Sequence, residues 1–237
     1  MITRPAIFKW RQTEAGLIVC AVRWYLRYSL SLRDVEELLE ERGLHVDHTT
    51  VWRWVQSYGP ELEQRLRRHL KPTNKSWRVD ETYLRVKGRW CYLYRAIDSK
   101  GATIDFLLSA FRDADAAKRL FGKALGDPSH RQPRVIKTDL APIYSSAIPD
   151  SKKEGTLRKR CRHRPVQYLK QHSRTGSSSH QRRVNAKQGF REFRAARRTI
   201  QGYEAVHMIR KGQVRWVAGD DLLRQIQFID SLFDLVA

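Results

Sequence analysis

Cysteine is scarce in this chain. Cys20, Cys91 and Cys161 stand far apart and share no metal-ligand spacing, which excludes a disulfide framework and points to reduced thiols. Long hydrophobic runs are missing too: no apolar stretch is long enough to cross a bilayer. The N-terminus lacks the charged, apolar and small-residue order of a signal peptide. No internal repeat is visible. A soluble, cytoplasmic protein with no membrane partner is therefore expected. Acids are in short supply as well. Lysine plus arginine outnumber aspartate plus glutamate 46 to 25, giving a formal charge of +21 and a pI near 10.4. Such an excess points to a polyanionic partner, because each neutralised phosphate releases condensed counterions.

What is present falls into two textures. The 237 residues suit a medium domain plus a small one. Apolar residues from Thr13 to Tyr28 recur at helical spacing, with Leu17, Ala21 and Leu26 as buried candidates. Ser31 can cap a second helix, helped by Asp34 three residues on. Leu32, Val35, Leu38 and Leu39 form its apolar stripe, and Gly43 ends it. Asp47 or His48 starts a third helix, Thr49–Tyr58. Val51, Trp54 and Val55 would face the core there, leaving Thr50, Arg53 and Gln56 outward. This reads as a helix-turn-helix whose polar face, with Thr49, enters the major groove of double-stranded DNA. Gly59-Pro60 should break or restart the helix before an amphipathic segment, Glu61–Leu70. Trp24, Trp52 and Trp54 read as helix-packing residues rather than base-stacking platforms.

Lys71-Pro72-Thr73-Asn74 is the linker candidate, so residues 1–70 are expected as a DNA-binding domain and 71–237 as a catalytic one. Beyond the linker the texture turns to strands. Trp77–Val86 and Trp90–Asp98 read as a hairpin around Lys87-Gly88-Arg89. Thr103–Ser109 follows as a third strand, then a helix over Asp113–Leu125 and a short buried strand, Val135–Thr138. Three antiparallel strands, a helix and a further strand is the order of an RNase H-like core.

Asp80 lies in the first of these strands and Asp139 just after the last. In such a core the two carboxylates converge. They repel unless cations lie between them, which implies divalent metal. In a two-metal arrangement one ion activates water or a 3′-hydroxyl and the other stabilises the leaving oxygen. Glu81 is adjacent to Asp80, but strand alternation turns it to the opposite face.

At this point a family resemblance is specific. Ala21-Val22-Arg23-Trp24-Tyr25-Leu26-Arg27-Tyr28, Arg33-Asp34-Val35-Glu36-Glu37-Leu38-Leu39 and Asp47-His48-Thr49-Thr50-Val51 resemble transposases of the IS-six (IS-twenty-six) insertion-sequence family. So do Val79-Asp80-Glu81-Thr82-Tyr83, Tyr92-Leu93-Tyr94-Arg95-Ala96-Ile97-Asp98 and His207-Met208-Ile209-Arg210-Lys211-Gly212-Gln213. The resemblance spans roughly Phe8 to Trp216. It implies an N-terminal helix-turn-helix domain and a retroviral-integrase-type, RNase H-like catalytic domain. It also implies cleavage and strand transfer dependent on Mg²⁺ (or Mn²⁺), acting on the element's terminal repeats and target DNA, with a homo-oligomer assembled on DNA. The first two family acids fall on Asp80 and Asp139.

The family's third acid, a glutamate on a helix, belongs at position 174, where this chain has Arg174. Tyr168-Leu169 match the family pattern, Lys170 to Gln181 do not, and Arg182-Arg183 and Lys187-Gln188-Gly189-Phe190 match again. The departure is bounded and leaves the length unchanged. A choice of codons from Lys170 onward exists whose reading one base later gives Asn-Asn-Ile-Val-Glu-Gln-Asp-His-Arg, with glutamate on codon 174. The expectation is a compensated frameshift across residues 170–181, and an arginine that pairs with aspartates in place of a metal ligand. Catalysis should suffer while DNA binding persists. The alternative is a catalytically dead DNA-binding derivative that represses or inhibits intact transposases.

Lys152 to Arg198 holds 16 lysines and arginines against two acids, Glu154 and Glu192. This reads as a phosphate-binding surface, with Arg158, Lys159, Arg160, Arg182 and Arg183 as its candidates. Cys161-x-His163 is too short for a zinc site. A late helix over Asp220–Leu235 has Leu222, Leu223, Ile226 and Ile229 at helical spacing, suited to packing on the core or to a dimer.

Overall fold

The computed structural model describes residues 5–9, 11–128, 130–167 and 190–235. The chain divides into two compact units, one formed by Met1–Lys71 with Glu192–Ala237 and the other by Pro72–Arg191. The first boundary falls within a residue or two of the expected linker. The second differs from the reading of residues 71–237 as one domain, since the C-terminal helices join the N-terminal ones.

The helical unit contains α1 (Ala15–Arg27), α2 (Leu32–Glu40), α3 (His48–Arg67), α6 (Phe193–Arg210) and α7 (Leu222–Leu232). Local chemistry starts α2 as the sequence predicts. Ser31 Oγ accepts from Asp34 N–H at 3.1 Å while Asp34 Oδ2 accepts from Ser31 N–H at 2.7 Å, a reciprocal capping box. Gly43, at φ +73°, supplies the left-handed residue that lets the chain leave the helix. Asp47 caps α3, accepting from Thr49 N–H at 2.7 Å.

Pro60 does not break α3, which runs unbroken through it to Arg67. Pro60 lacks the N–H that Gln56 C=O would otherwise receive, and tertiary packing keeps the helix whole. Gly59 lies against α6, where a Cβ would come within 3.2 Å of Arg198 O and 3.5 Å of Gly202 Cα. Beyond α3, Lys71 N–H donates to Gln213 O at 2.8 Å and Arg215 N–H to His69 O at 2.9 Å. Phe8 stacks on Tyr58 at 4.9 Å and meets Phe233 edge-on at 5.9 Å. These contacts, long-range in sequence, draw the C-terminal segment into the helical unit.

Some details of burial depart from the helical pattern. Leu17 is only half-buried and Ile18 takes the core position in α1. Leu222 and Leu223 are exposed, and α7 instead buries Gln225, Ile229 and Leu232. Trp54 is buried, Trp24 is half-buried beneath the Arg42 guanidinium at 5.1 Å, and Trp52 is exposed.

The second unit is a five-stranded mixed sheet in the order β3-β2-β1-β4-β5. Its strands are β1 (Ser76–Val86), β2 (Arg89–Asp98), β3 (Thr103–Ser109), β4 (Val135–Thr138) and β5 (Arg162–Pro165), with helices α4 (Ala114–Gly126) and α5 (Pro142–Lys153). β1, β2 and β3 pair antiparallel, while β4 pairs parallel to β1 and β5 parallel to β4. This is the RNase H-like order expected from the strand pattern. Lys87 and Gly88 both take positive φ, 49° and 75°, as the two-residue turn of a tight hairpin requires. One sheet face packs Trp77, Val79, Tyr94, Ala96 and Ile136 against Leu120 and Phe121 of α4 and Tyr144, Ala147 and Ile148 of α5. β5 carries the sequence Arg-His-Arg-Pro with almost no buried residue, so its polar pattern hid it as a strand. No described helix is long and apolar enough to cross a membrane.

Candidate active site

Pairing of β1 with β4 puts the residues just before the two sequence-predicted acids in register. Trp77 pairs with Ile136, and Val79 with Thr138, all facing the helix-covered core. Asp80 is the next residue of β1 and Asp139 the first residue after β4. Side chains alternate along a strand, which turns Asp80 to the face opposite Trp77 and Val79, while Asp139 opens the turn that follows β4. Both are half-exposed. Asp139 Oδ1 accepts from Ala141 N–H at 3.2 Å, which fixes the turn leading into α5.

The same alternation surrounds the pair with cations that the sequence reading did not single out. Arg78 and Lys137 are register partners two residues before Asp80 and Asp139, and Arg95 stands opposite Asp80 on β2. The signal was in the chain: Arg-Val-Asp and Lys-Thr-Asp each set a cation and an acid at a period of two. Opposite charges directly across a strand pair are favourable, and cations beside a carboxylate pair offset its self-repulsion.

Glu81 points to the other face, as alternation requires, and is the hub of a buried network. Its carboxylate is almost fully buried, ion-pairs with Arg112, and accepts from Tyr144 Oη–H at 2.7 Å. Burial drives the Tyr144 hydroxyl well above its ordinary value, with Glu81 next in weight and Asp139 and Asp80 behind it. Tyr94, buried on the same face, is pushed up to about 12 by desolvation and then by Glu81 and Asp113. Burial acts to lower the Arg112 guanidinium, and Glu81 with Tyr83 and Asp139 reverses that and leaves it raised. Arg112 and Tyr144 thus sit within electrostatic reach of both sheet faces at this point. Tyr144 is thereby held as a neutral hydrogen-bond donor to Glu81, on the strand that also carries Asp80.

Two carboxylates are hard oxygen donors that suit a magnesium-like cation, so the residues present fit a divalent ion. Among the described residues no third histidine, cysteine or acid completes a group with them. Arg174, at the third-acid position, lies outside the described residues, as do Arg182, Arg183 and the whole segment 170–181. The described metal-compatible cluster, Glu36, Asp47 and His48, lies in the helical unit and is accounted for by helix capping and the 3.0 Å His48–Glu36 contact.

A DDE-domain family profile matches residues 74–213. The transposase for the insertion sequence-like element IS431mec of Staphylococcus aureus is 37% identical over 211 residues, covering 86% of this chain and 88% of that one. The transposase for IS257 in transposon Tn4003 of the same species matches to the same extent. The chain belongs to the IS-six family of DDE transposases. The magnesium-bound HTLV-2 integrase catalytic core is a structural neighbour at a TM-score of 0.43 and 14% identity, covering 61% of this chain and 95% of that one. The RNase H-like assignment stands on strand order and the DDE-domain match.

For this family member, the predicted DNA contacts separate into two groups. Thr49 and Arg53 are exposed on α3 and Thr50 is half-exposed; the Thr49 hydroxyl is also bonded to the capping Asp47. Gln56 is a correction: it is buried, and its Nε2 donates to Thr199 Oγ1 of α6 at 2.9 Å. An unpredicted helix claimed the face that α3 alone would have left open. In the sheet unit, Arg158, Lys159 and Arg160 are exposed between α5 and β5.

Proposed function

We propose that this chain is an insertion-sequence transposase whose Asp80 and Asp139 hold divalent metal, and whose strand-transfer activity is impaired by Arg174 at the third-acid position. The observation that supports the metal site is the β1–β4 register, in which Val79 and Thr138, the residues immediately before the two aspartates, are partners. A bound Mg²⁺ or Mn²⁺ supplies Lewis-acid polarisation of the scissile phosphate and an acidified water or 3′-hydroxyl. Arg78 and Lys137, half-exposed register partners on β1 and β4, favour a phosphodiester beside the acids. In the hydrolytic step water oxygen bonds to phosphorus, the P–O3′ bond breaks and a 3′-hydroxyl is freed. In the joining step that 3′-oxygen attacks a target phosphorus and displaces the target's own 3′-oxygen.

In this reading α2 and α3 form the helix-turn-helix that meets the element's terminal repeats, with Thr49, Thr50 and Arg53 toward the duplex. Arg158, Lys159 and Arg160 contact phosphates of donor or target DNA, and the protein acts as a homo-oligomer on DNA. The test is a Mg²⁺-dependent strand-transfer assay on terminal-repeat duplexes. Arg174→Glu should raise joining well above the unmodified chain, and Asp80→Asn in that background should return it to baseline. Equal turnover with and without Arg174→Glu overturns the account of the defect. If both forms bind DNA yet neither joins it, the repressor reading takes its place. The frameshift is settled separately by the gene: codons 170–181 that cannot yield the shifted glutamate sink it.

A further inference from the structure

The side of α3 expected to read DNA does not stand alone. Gln56 lies beside Thr199 and Gly59 beside Gly202, the same step along both helices, so α3 and α6 run parallel over this contact. Their N-terminal ends therefore point the same way. Between them is an open groove in the helical unit, flanked by Trp52 and Arg53 from α3 and by Glu192, Arg194 and Arg198 from α6.

Its charge is one-sided. Arg53 and Arg194 are exposed and Arg198 is half-exposed. Among the described residues none of the three makes a side-chain hydrogen bond or an ion pair with an acid. Glu192 is the one acid lining the groove; it is exposed and makes no side-chain cap on α6. The spacing of Arg194 and Arg198 places them one above the other on one helical face. Trp52, 41% exposed, sets a broad apolar surface against this guanidinium cluster. Surface arginine and indole together suit a sugar–phosphate backbone, whose phosphates take guanidinium forks and whose deoxyribose takes an apolar contact.

We infer that the α3–α6 groove is a backbone-phosphate clamp for double-stranded DNA, in which Arg194 and Arg198 hold phosphates flanking the groove that Arg53 enters and Trp52 packs on the adjoining sugar. The inference rests on the DNA-binding reading of α3 and adds residues about 140 positions away to it. It assigns α6 the task of fixing the angle and register of α3 on the duplex. Arg53 is then the sequence reader, and the α6 arginines bind without regard to sequence.

The experiment is fluorescence-anisotropy titration of the full chain on a terminal-repeat duplex and on an unrelated duplex across a range of salt. Loss of two phosphate contacts in Arg194→Gln/Arg198→Gln should flatten the slope of log affinity against log salt by about 1.8. Affinity should fall equally for both duplexes. Arg194→Lys/Arg198→Lys should keep most of the slope, and circular dichroism should report the same helix content in all three proteins. A slope unchanged in the glutamine variant, with DNA still bound, overturns the clamp and leaves the DNA-binding reading intact. A chain that binds neither duplex overturns both. A loss in the glutamine variant confined to the terminal-repeat duplex also overturns the clamp, because it would make these arginines base readers.

Discussion

Gln56 Nε2 donates a 2.9 Å hydrogen bond to Thr199 Oγ1 inside the contact between α3 and α6, with both side chains buried. A residue that its helix alone would turn toward DNA is thereby a structural strut. Gln56→Ala should cost about 1–3 kcal/mol, because it leaves a buried hydroxyl without its partner. The base preference of DNA binding should not change, whereas Arg53→Ala should relax it. Thermal unfolding combined with binding to a randomised duplex pool checks both; a changed preference in Gln56→Ala would return that residue to the groove.

Glycine substitution should have opposite signs at two positions. A Cβ at Gly202 would lie 2.7 and 2.9 Å from the Leu26 methyls and 3.1 Å from Gly59 Cα, whereas one at Gly16 would meet nothing within 4 Å. Leu26 is itself fully buried, so its side chain has little room to yield. Gly202→Ala should destabilise by about 1–3 kcal/mol through overpacking. Gly16→Ala, in an exposed helical position, should stabilise by roughly 0.5–1 kcal/mol. Denaturant midpoints of the two variants moving in the same direction would contradict the α3–α6 packing described above.

The Glu81 network predicts a hierarchy. Glu81→Gln removes the charge that Arg112 and Tyr144 both address. Breaking a buried pair is strongly destabilising, but the Arg112 side chain is about a third exposed, so roughly 2–3 kcal/mol is expected. Tyr144→Phe removes one hydrogen bond and should cost about 1 kcal/mol. Urea unfolding gives the order, and a Tyr144→Phe loss larger than that of Glu81→Gln would show that the carboxylate is not the hub.

His163 supplies the pH dependence. Burial holds its ring below the ordinary histidine value, with the charge of Lys152 second, and Nε2 lies 2.9 Å from Thr138 Oγ1. The folded state thus favours the neutral ring. As pH falls through the unfolded value near 6.5, the unfolded chain gains a proton that the folded chain resists, so stability declines until the depressed folded value is passed. His163→Gln should flatten the drop in thermal stability between about pH 7.5 and pH 5.5. An unaltered drop would locate that titration elsewhere, with His69, which burial also lowers, the next candidate.

Much of this was written in local sequence. Ser31 with Asp34, Gly43, Asp47 and the Lys87-Gly88 turn act within a few residues of themselves, so their chemistry fixes helix starts, stops and the hairpin without help from the rest of the fold. The period-two runs set the strands, and the family pattern pointed to Asp80 and Asp139 as the acids proposed to hold metal. The sequence could not show that Glu81 would collect Arg112 and Tyr144, that Arg95 would stand opposite Asp80, or that Pro60 would be carried within a helix. Nor could it take Gln56 from the DNA face, send the C-terminal helices to the N-terminal unit, or line up Arg53 with Arg194 and Arg198. Those outcomes depend on partners remote in the chain. Propensity and periodicity register only neighbours along the backbone, while hydrogen bonding, close glycine contact and charge act between whatever surfaces packing brings together.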